Sequence, residues 1–275
     1  MSIIFKHRPG LVAYLTTGDP DVDTTRRAAL AAIRAGADVI ELGVPFSDPV
    51  ADGPVIQRAS ERAVRRGTRL EEVLEAARQI RQESEAGLIV FSYLNPVLRF
   101  GLARFCAAAQ DAGVDGALIT DLPVEEAGEY RRAMRARQLA TVFLAAPTST
   151  DERLRRIAEA SEGFVYAVSR TGVTGVRSEL SDDARQLVAR LRRYTKLPVA
   201  VGFGISTPAQ FAAVGKYADA AVVGSALVEA LERKPEAGPQ AVAELVTHLR
   251  SGAAVPVRRA SQPPAGARQR NSHGH

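Results

Sequence analysis

Histidine, lysine and cysteine are scarce in this chain of 275 residues, and their scarcity narrows the chemistry it can perform. The four histidines lie near the two ends, and none of the four lysines ends a predicted strand. A histidine base, a metal cluster containing histidine and a Schiff-base lysine are therefore disfavoured. The single cysteine, Cys106, excludes an intramolecular disulfide, and its apolar helical surroundings predict a buried structural thiol. Carboxylates, tyrosines and backbone amides remain as candidates.

The sequence also lacks long apolar runs, and residues 1–250 carry little net charge. No run approaches the length of a membrane helix, and Pro9-Gly10 interrupts the first residues too early for a secretory signal, so we expect a cytoplasmic protein without membrane contact. Residues 251–275 carry four of the five net positive charges and are rich in Pro, Gly and Ser. They predict a disordered tail after a catalytic domain of residues 1–250. Because that domain is nearly neutral, nucleic acid is not an expected partner.

Apolar segments alternate with helical patterns along the whole domain. The predicted strands cover residues 11–16, 37–41, 88–93, 116–120, 140–144, 164–168, 197–201 and 220–223. Eight strand–helix units without an intervening linker predict an α/β protein, a single (β/α)8 TIM barrel. An open doubly wound sheet is the alternative. It does not account for eight units, and the G-x-G of residues 202–204 lacks the third glycine of the dinucleotide fingerprint.

The clearest candidate for chemistry is the stretch from Glu41 to Pro54. Glu41 ends a predicted strand in phase with Val39, so the two side chains face the core together, and a buried carboxylate is costly unless it is paired or protonated. Asp52 follows in a loop rich in Pro and Gly. Two carboxylates in different surroundings can divide the work, the buried one moving protons and the wetter one staying ionised. For Glu41 the alternative is a core glutamate satisfied by the backbone, and Asp48 competes with Asp52.

Glycines follow the last predicted strands, where barrel enzymes often bind phosphate. Glycine amides, a serine hydroxyl and the amino end of a helix suit an anion, although glycine pairs can equally form tight turns. The candidate phosphate-binding residues are Gly175, Gly202, Gly204, Gly224 and Ser225. Tyr166 is either a packed aromatic, whose hydroxyl then still needs a partner, or a site residue. The strand residues Tyr14, Phe91 and Leu118 can supply an apolar wall for a flat ring.

Six motifs occur here in the order found in one family. They are TGDP at 17–20, ELGVPFSDPVADGP at 41–54, DLPVEE at 121–126, SRTGVTG at 169–175, GFGIS at 202–206 and GS at 224–225. Residues 10–250 closely resemble the tryptophan synthase α subunit. The resemblance implies retro-aldol cleavage of indole-3-glycerol phosphate to indole and glyceraldehyde 3-phosphate, with no metal and no cofactor in this chain. It also implies an α2β2 complex with a β subunit that uses pyridoxal phosphate (PLP) to make tryptophan.

The same resemblance assigns roles to single residues. It makes Glu41 the general acid and base, Asp52 the acceptor of the indole N–H, and Tyr166 a catalytic-site residue beside Glu41. The candidate phosphate-binding residues become the phosphate cradle, and Tyr14, Phe91 and Leu118 become the indole pocket. Loops 44–54 and 171–179 match mobile segments that close over the substrate.

One departure concerns the barrel bottom. A longer leading helix usually covers it in the family, whereas about nine residues precede the first predicted strand here, so we expect a different closure. Two other functions stay open at this point. One is a different phosphosugar barrel enzyme, such as an isomerase, and the other is a non-catalytic subunit that binds phosphate ligands and activates a β chain.

Overall fold

The computed structural model describes residue 3 and residues 5–168, 182–202 and 204–252. These residues form one parallel sheet in the order β5-β4-β3-β2-β1-β9-β8-β7-β6. Its strands are β1 Gly10–Thr16, β2 Val39–Gly43, β3 Gly87–Ser92, β4 Gly116–Ile119, β5 Ala140–Val142, β6 Leu144–Ala145, β7 Val165–Val168, β8 Val199–Gly202 and β9 Ala220–Val223. Only Phe143 separates β5 from β6, so the two edges of the sheet adjoin and the barrel closes. The predicted TIM barrel is confirmed, with its fifth strand broken at Phe143.

Helices surround this barrel. They are α1 Val22–Arg34, α2 Pro54–Arg65, α3 Leu70–Glu83, α4 Leu94–Phe100, α5 Leu102–Asp111, α6 Gly128–Ala136, α7 Asp151–Ala160, α8 Asp182–Leu191, α9 Pro208–Val214, α10 Ser225–Arg233 and α11 Gly238–Ser251. Among the described residues, none of these helices is long and apolar enough to cross a bilayer. Asn95 and Pro96 lie in the first turn of α4, where proline removes no helical hydrogen bond, although a loop is expected there from the sequence.

Strand alternation separates the inner face of the barrel from the outer face. Val12, Val39 and Ile89 belong to the cluster that fills the interior, whereas Leu11, Ile40 and Leu88 pack outward with the helices. Glu41 comes two residues after Val39 and is paired in register with Tyr14 of β1 and Ile89 of β3. It therefore lies on the inner face, near the carboxyl ends of the strands, as its phase predicts.

The short leading segment closes the bottom of the barrel. Ile3 is buried in the interior cluster, and the Phe5 ring meets the Phe164 ring edge-on with centroids 5.9 Å apart. The buried Asp38 carboxylate holds this segment, because it accepts hydrogen bonds from the Lys6 amide at 2.9 Å and the Leu11 amide at 2.9 Å. Packed side chains of Ile3 and Phe5 thus close this end of the barrel.

Candidate active site

Glu41 is a fully buried carboxyl group on the inner face of β2. Neither of its carboxyl oxygens has a hydrogen-bond partner among the described residues. Burial without a partner disfavours the charged form and raises the pKa of Glu41 to about 8. The group is therefore protonated at neutral pH, and it can donate a proton and later take one back.

Asp52 lies in the loop between β2 and α2 and has a different environment. The Tyr93 hydroxyl donates a hydrogen bond to Asp52 Oδ2 at 3.0 Å. Burial raises the pKa of Asp52 to about 6, and the hydrogen bond from Tyr93 lowers it against that trend. Asp52 is therefore mostly ionised at neutral pH while Glu41 is mostly protonated. A division of work between the two carboxylates would require such a contrast in protonation.

Tyr93 is a site residue that the sequence reasoning missed. Its hydroxyl oxygen also accepts a hydrogen bond from the Ala51 amide at 2.9 Å, and its ring lies 5.1 Å from the Phe46 ring. One side chain thus holds the loop of residues 44–53 at three points. The available signal was its phase, because Tyr93 follows Ile89 and Phe91 at alternate positions and continues the inner face beyond β3.

Aromatic side chains form one wall of the mouth. The Tyr14 and Phe91 rings pack edge to face with centroids 5.1 Å apart. Leu118 is paired in register with Phe91 and is fully buried in the interior cluster, so it supports the Phe91 ring from the neighbouring strand. Tyr14 and Phe91 thus form an apolar wall, with Leu118 packed next to it.

Tyr166 lies on β7, with its ring packed against the interior cluster. Burial raises the pKa of its hydroxyl well above the ordinary value, and the charges of Glu41, Tyr14 and Asp52 raise it further. Its hydroxyl therefore stays neutral. A side chain at Gly202 would meet this hydroxyl at 2.5 Å, so the glycine of β8 makes room for it. Gly202, which is a phosphate-binding candidate from the sequence, has this second reason to be glycine.

The remaining phosphate-binding candidates lie at the end of β9 and in the loop after β8. Gly224 is the N-cap of α10, and Ser225 is the first residue of that helix. A Cβ at Gly224 would lie 3.6 Å from Tyr14 Cβ, which places the start of α10 beside the aromatic wall. Gly204 has a φ of 59° and open space around its Cβ position. The amides there and the positive end of α10 suit an anion.

Some of the candidates fall beyond what the structure describes. Gly175 and the loop of residues 171–179 lie outside the described residues, and so do residues 253–275 of the predicted tail. Helix α11 extends to Ser251, one residue into that tail. Within the described ranges, no group of three acidic, histidine or cysteine side chains could hold a metal ion.

Comparisons with known proteins agree on one family. The family model described as "Tryptophan synthase alpha chain" matches residues 3–255. The chain is 56% identical over 231 residues to a tryptophan synthase alpha chain of Solibacter usitatus, covering 84% of this chain and 86% of that protein. It is 47% identical over 252 residues to a relative of the same name from Thermosynechococcus vestitus, covering 91% and 94%.

Solved structures give the same result. Tryptophan synthase from Mycobacterium tuberculosis superposes with a TM-score of 0.83 at 41% identity, covering 90% of this chain and 94% of that chain. The tryptophan synthase complex from Pyrococcus furiosus gives a TM-score of 0.84 at 39% identity, covering 90% and 100%.

Proposed function

The chain belongs to the tryptophan synthase alpha chain family, whose lyase activity cleaves indole-3-glycerol phosphate in tryptophan biosynthesis, and we propose that Glu41 and Asp52 perform this cleavage. The observation that carries the proposal is Glu41, a buried carboxyl group without a partner among the described residues and with a pKa raised to about 8. A structural glutamate would be expected to have partners, whereas a proton donor needs its acidic hydrogen available.

The protonated state of Glu41 determines where each proton moves during the proposed cleavage. Protonated Glu41 delivers its proton to C3 of the indole ring, and positive charge develops at the ring nitrogen. The Glu41 carboxylate then removes the proton from the glycerol hydroxyl next to the bond that breaks. That bond's electron pair returns to the ring, so indole and an aldehyde form and Glu41 is protonated again. The ring serves as the electron sink, which agrees with the scarcity of lysine.

Asp52 stabilises the charged intermediate in this proposal. Ionised at neutral pH and held by Tyr93, it accepts the ring N–H and opposes the positive charge that develops there. Tyr14 and Phe91 contact the ring faces. Tyr166 borders the reacting carbon, where its neutral hydroxyl can donate a hydrogen bond.

Replacing Tyr93 with phenylalanine tests the assignment of Asp52. Loss of the hydrogen bond should raise the pKa of Asp52 by roughly one unit. Because Asp52 acts ionised, the acidic limb of the kcat/KM profile should move to higher pH while the alkaline limb stays. A pH titration of indole release measures both limbs. The control is Tyr130→Phe, which removes a buried hydroxyl bonded to the Ala117 carbonyl on the outer side of the barrel. An unmoved acidic limb in the Tyr93 variant would contradict the role given to Asp52.

Replacing Ser225 with alanine tests the phosphate cradle formed by Gly204, Gly224 and Ser225, with Gly175 expected to contribute from the loop after β7. The change removes one hydrogen bond to a charged group, so binding should weaken by roughly 1.5–3 kcal/mol. Calorimetry with glycerol 3-phosphate gives this affinity directly. The matched control is Ser251→Ala, whose hydroxyl bonds the His248 carbonyl at the end of α11. Equal affinities in the Ser225 variant and the parent chain would show that the cradle lies elsewhere.

We infer that a β subunit covers the loop of residues 44–53. Two of the exposed large hydrophobic residues among the described positions lie here, Val50 within the loop and Val64 on α2 beside it. A cleft of about 640 Å³ at the loop is lined in part by Phe46, Pro49, Val50 and Val64. This apolar surface fits a protein partner. The α2β2 assembly, the PLP of the partner, the passage of indole to it and a cytoplasmic location belong to the same proposal.

Indole release from indole-3-glycerol phosphate, measured with and without a co-purified β subunit, tests the function as a whole. We expect indole in both conditions and faster release in the complex, since closure of the loop completes the site. If neither condition yields indole while the β subunit is still activated, the chain is a non-catalytic subunit. If the chain releases indole but no β subunit co-purifies, the cleavage stands and the partner proposal fails.

A further inference from the structure

We propose that Arg62 is a positioning residue that fixes the ring-binding end of the site relative to the phosphate-binding end. It does so through ion pairs with Asp19 and Glu232, which join the loop after β1, helix α2 and helix α10. The inference rests on the proposed function, because it concerns how the two ends of one substrate are held.

Helices α2 and α10 each begin at one end of the proposed site. Helix α2 starts at Pro54, two residues after Asp52, and α10 starts at Ser225. They meet over the end of β1, where Ala59 and Val228 are buried in a small cluster with Tyr14. This apolar contact is small and not directional, so it resists sliding of one helix along the other only weakly. A directional interaction is needed to fix their relative position.

Arg62 supplies that directional interaction from the third turn of α2. Its Nε donates to Asp19 Oδ1 at 2.8 Å, and its Nη2 donates to Asp19 Oδ2 at 2.7 Å. Its Nη1 donates to Glu232 Oε1 at 2.8 Å. The planar guanidinium therefore presents two edges to two carboxylates in a fixed geometry, which lysine cannot do. Among the described side chains, Arg62 alone pairs with both Asp19 and Glu232.

Asp19 is a rigid reference point for this arrangement. Its carboxylate is nearly fully buried, in the turn that follows β1. The preceding Gly18 has a φ of 89°, and a Cβ there would meet Thr68 Oγ1 at 2.2 Å, so the turn packs tightly on the segment that follows α2. The Gly18 amide also donates to Thr25 Oγ1 at 3.1 Å. Arg62 thus joins both helices, α2 and α10, to the turn that follows β1 of the barrel.

Glu232 connects the last turn of α10 to this reference point. Besides Arg62, it accepts hydrogen bonds from Arg58 Nε at 3.2 Å and Nη2 at 3.0 Å. Arg58 lies one turn earlier on α2 and so strengthens the contact between the helices without reaching Asp19. Removing Arg62 would leave α2 and α10 paired through Arg58 and Glu232, and of the ion pairs to Asp19 only the longer one from Arg66 Nη1, at 3.8 Å, would remain. The relative placement of Asp52 and Ser225 would then depend on the small apolar contact and on the half-exposed Arg58–Glu232 pair, which water weakens.

The indole ring and the phosphate are joined in one substrate, so a change in the relative placement of the two ends of the site can be measured. Intact indole-3-glycerol phosphate must satisfy both ends of the site at one separation, whereas glycerol 3-phosphate engages only one end. A positioning defect should therefore lower turnover of the intact substrate and spare the affinity for the fragment. Loss of general structure would instead weaken both.

The experiment compares Arg62→Met with Arg62→Lys and Glu232→Gln in the full chain. For Arg62→Met we expect kcat/KM for indole-3-glycerol phosphate to fall by about ten- to a hundredfold, with less than about a twofold change in glycerol 3-phosphate affinity. Arg62→Lys should restore part of the loss, because an ammonium can pair with one carboxylate at a time. The matched control is Arg65→Met, which removes an exposed arginine on the same helix that pairs with Glu61. It should leave both readouts unchanged.

Several outcomes would overturn the proposal. One is an unchanged kcat/KM in Arg62→Met, and another is a parallel loss of fragment affinity and turnover. If Arg62→Met does not fold, Glu232→Gln decides, because it keeps the buried Asp19 paired and should show the same selective loss of turnover. Normal turnover in the Glu232→Gln variant would then reject the positioning role of Arg62. A parent chain that releases no indole contradicts the proposed function itself, and this result is separate from any result with the variants.

Discussion

Glu41→Gln should lower kcat for indole release by about 10²- to 10⁴-fold, the range attributed to a general acid and base. Glutamine has nearly the volume of glutamate and fits the same buried position on β2, but it neither donates an acidic proton nor takes one from the glycerol hydroxyl. Both proton transfers of the proposed cycle are lost in one substitution. Binding should persist, because Asp52, the aromatic wall and the phosphate cradle are untouched. The variant should therefore lose kcat with little change in substrate affinity.

Single-turnover assays of indole formation, together with calorimetry using glycerol 3-phosphate, separate these two quantities. The matched control is Glu85→Gln, the same substitution at a side chain that is 92% exposed and lies two residues after the end of α3. It should retain the activity of the parent chain. Turnover of the Glu41 variant within a few fold of the parent would remove Glu41 from the mechanism. An equal loss of glycerol 3-phosphate affinity would instead indicate a damaged site.

The position of Glu41 was accessible from the sequence because strand alternation is a local property. Val39 and Glu41 share one face of a short strand whatever the rest of the chain does, and the barrel interior is where that face points. The eight strand–helix units could be predicted for the same reason, since each strand and each helix has its own periodic pattern of apolar residues. The break at Phe143 was not accessible, because it depends on how one strand bends between two neighbours.

The hydrogen-bond partners around the site come from distant parts of the chain and could not be predicted from local patterns. Tyr93 lies 41 residues from Asp52, and Arg62 lies 170 residues from Glu232. Hydrogen bonds of this kind depend on which loops and helices meet above the barrel, and no spacing in the sequence encodes that distance. Gly202 gives a related case, since its reason to be glycine is the Tyr166 hydroxyl on the next strand. The sequence predicts which residues matter more readily than why each is needed.

Glu41→Gln should also stabilise the folded chain, and the gain should grow with pH. The pKa of Glu41 is about 8 in the folded state and near its ordinary value of 4.5 when unfolded. Between these values the folded state binds more protons than the unfolded state, so the free energy of unfolding falls as pH rises through this range. Glutamine does not titrate and removes this penalty. The stability difference between variant and parent should therefore widen by on the order of 3 kcal/mol between pH 5 and pH 8.

Denaturant unfolding of both proteins at pH 5, 6, 7 and 8 measures this difference, and all other titrating groups cancel in the subtraction. The matched control is again Glu85→Gln, the same substitution at an exposed side chain. A constant difference across the range would mean that Glu41 is not buried as an uncharged acid, and its assignment as the proton donor would lose its physical basis. A widening difference alongside lost turnover would show that one buried carboxyl group lowers the stability of the fold and supplies its chemistry, as strained functional groups in other enzymes do.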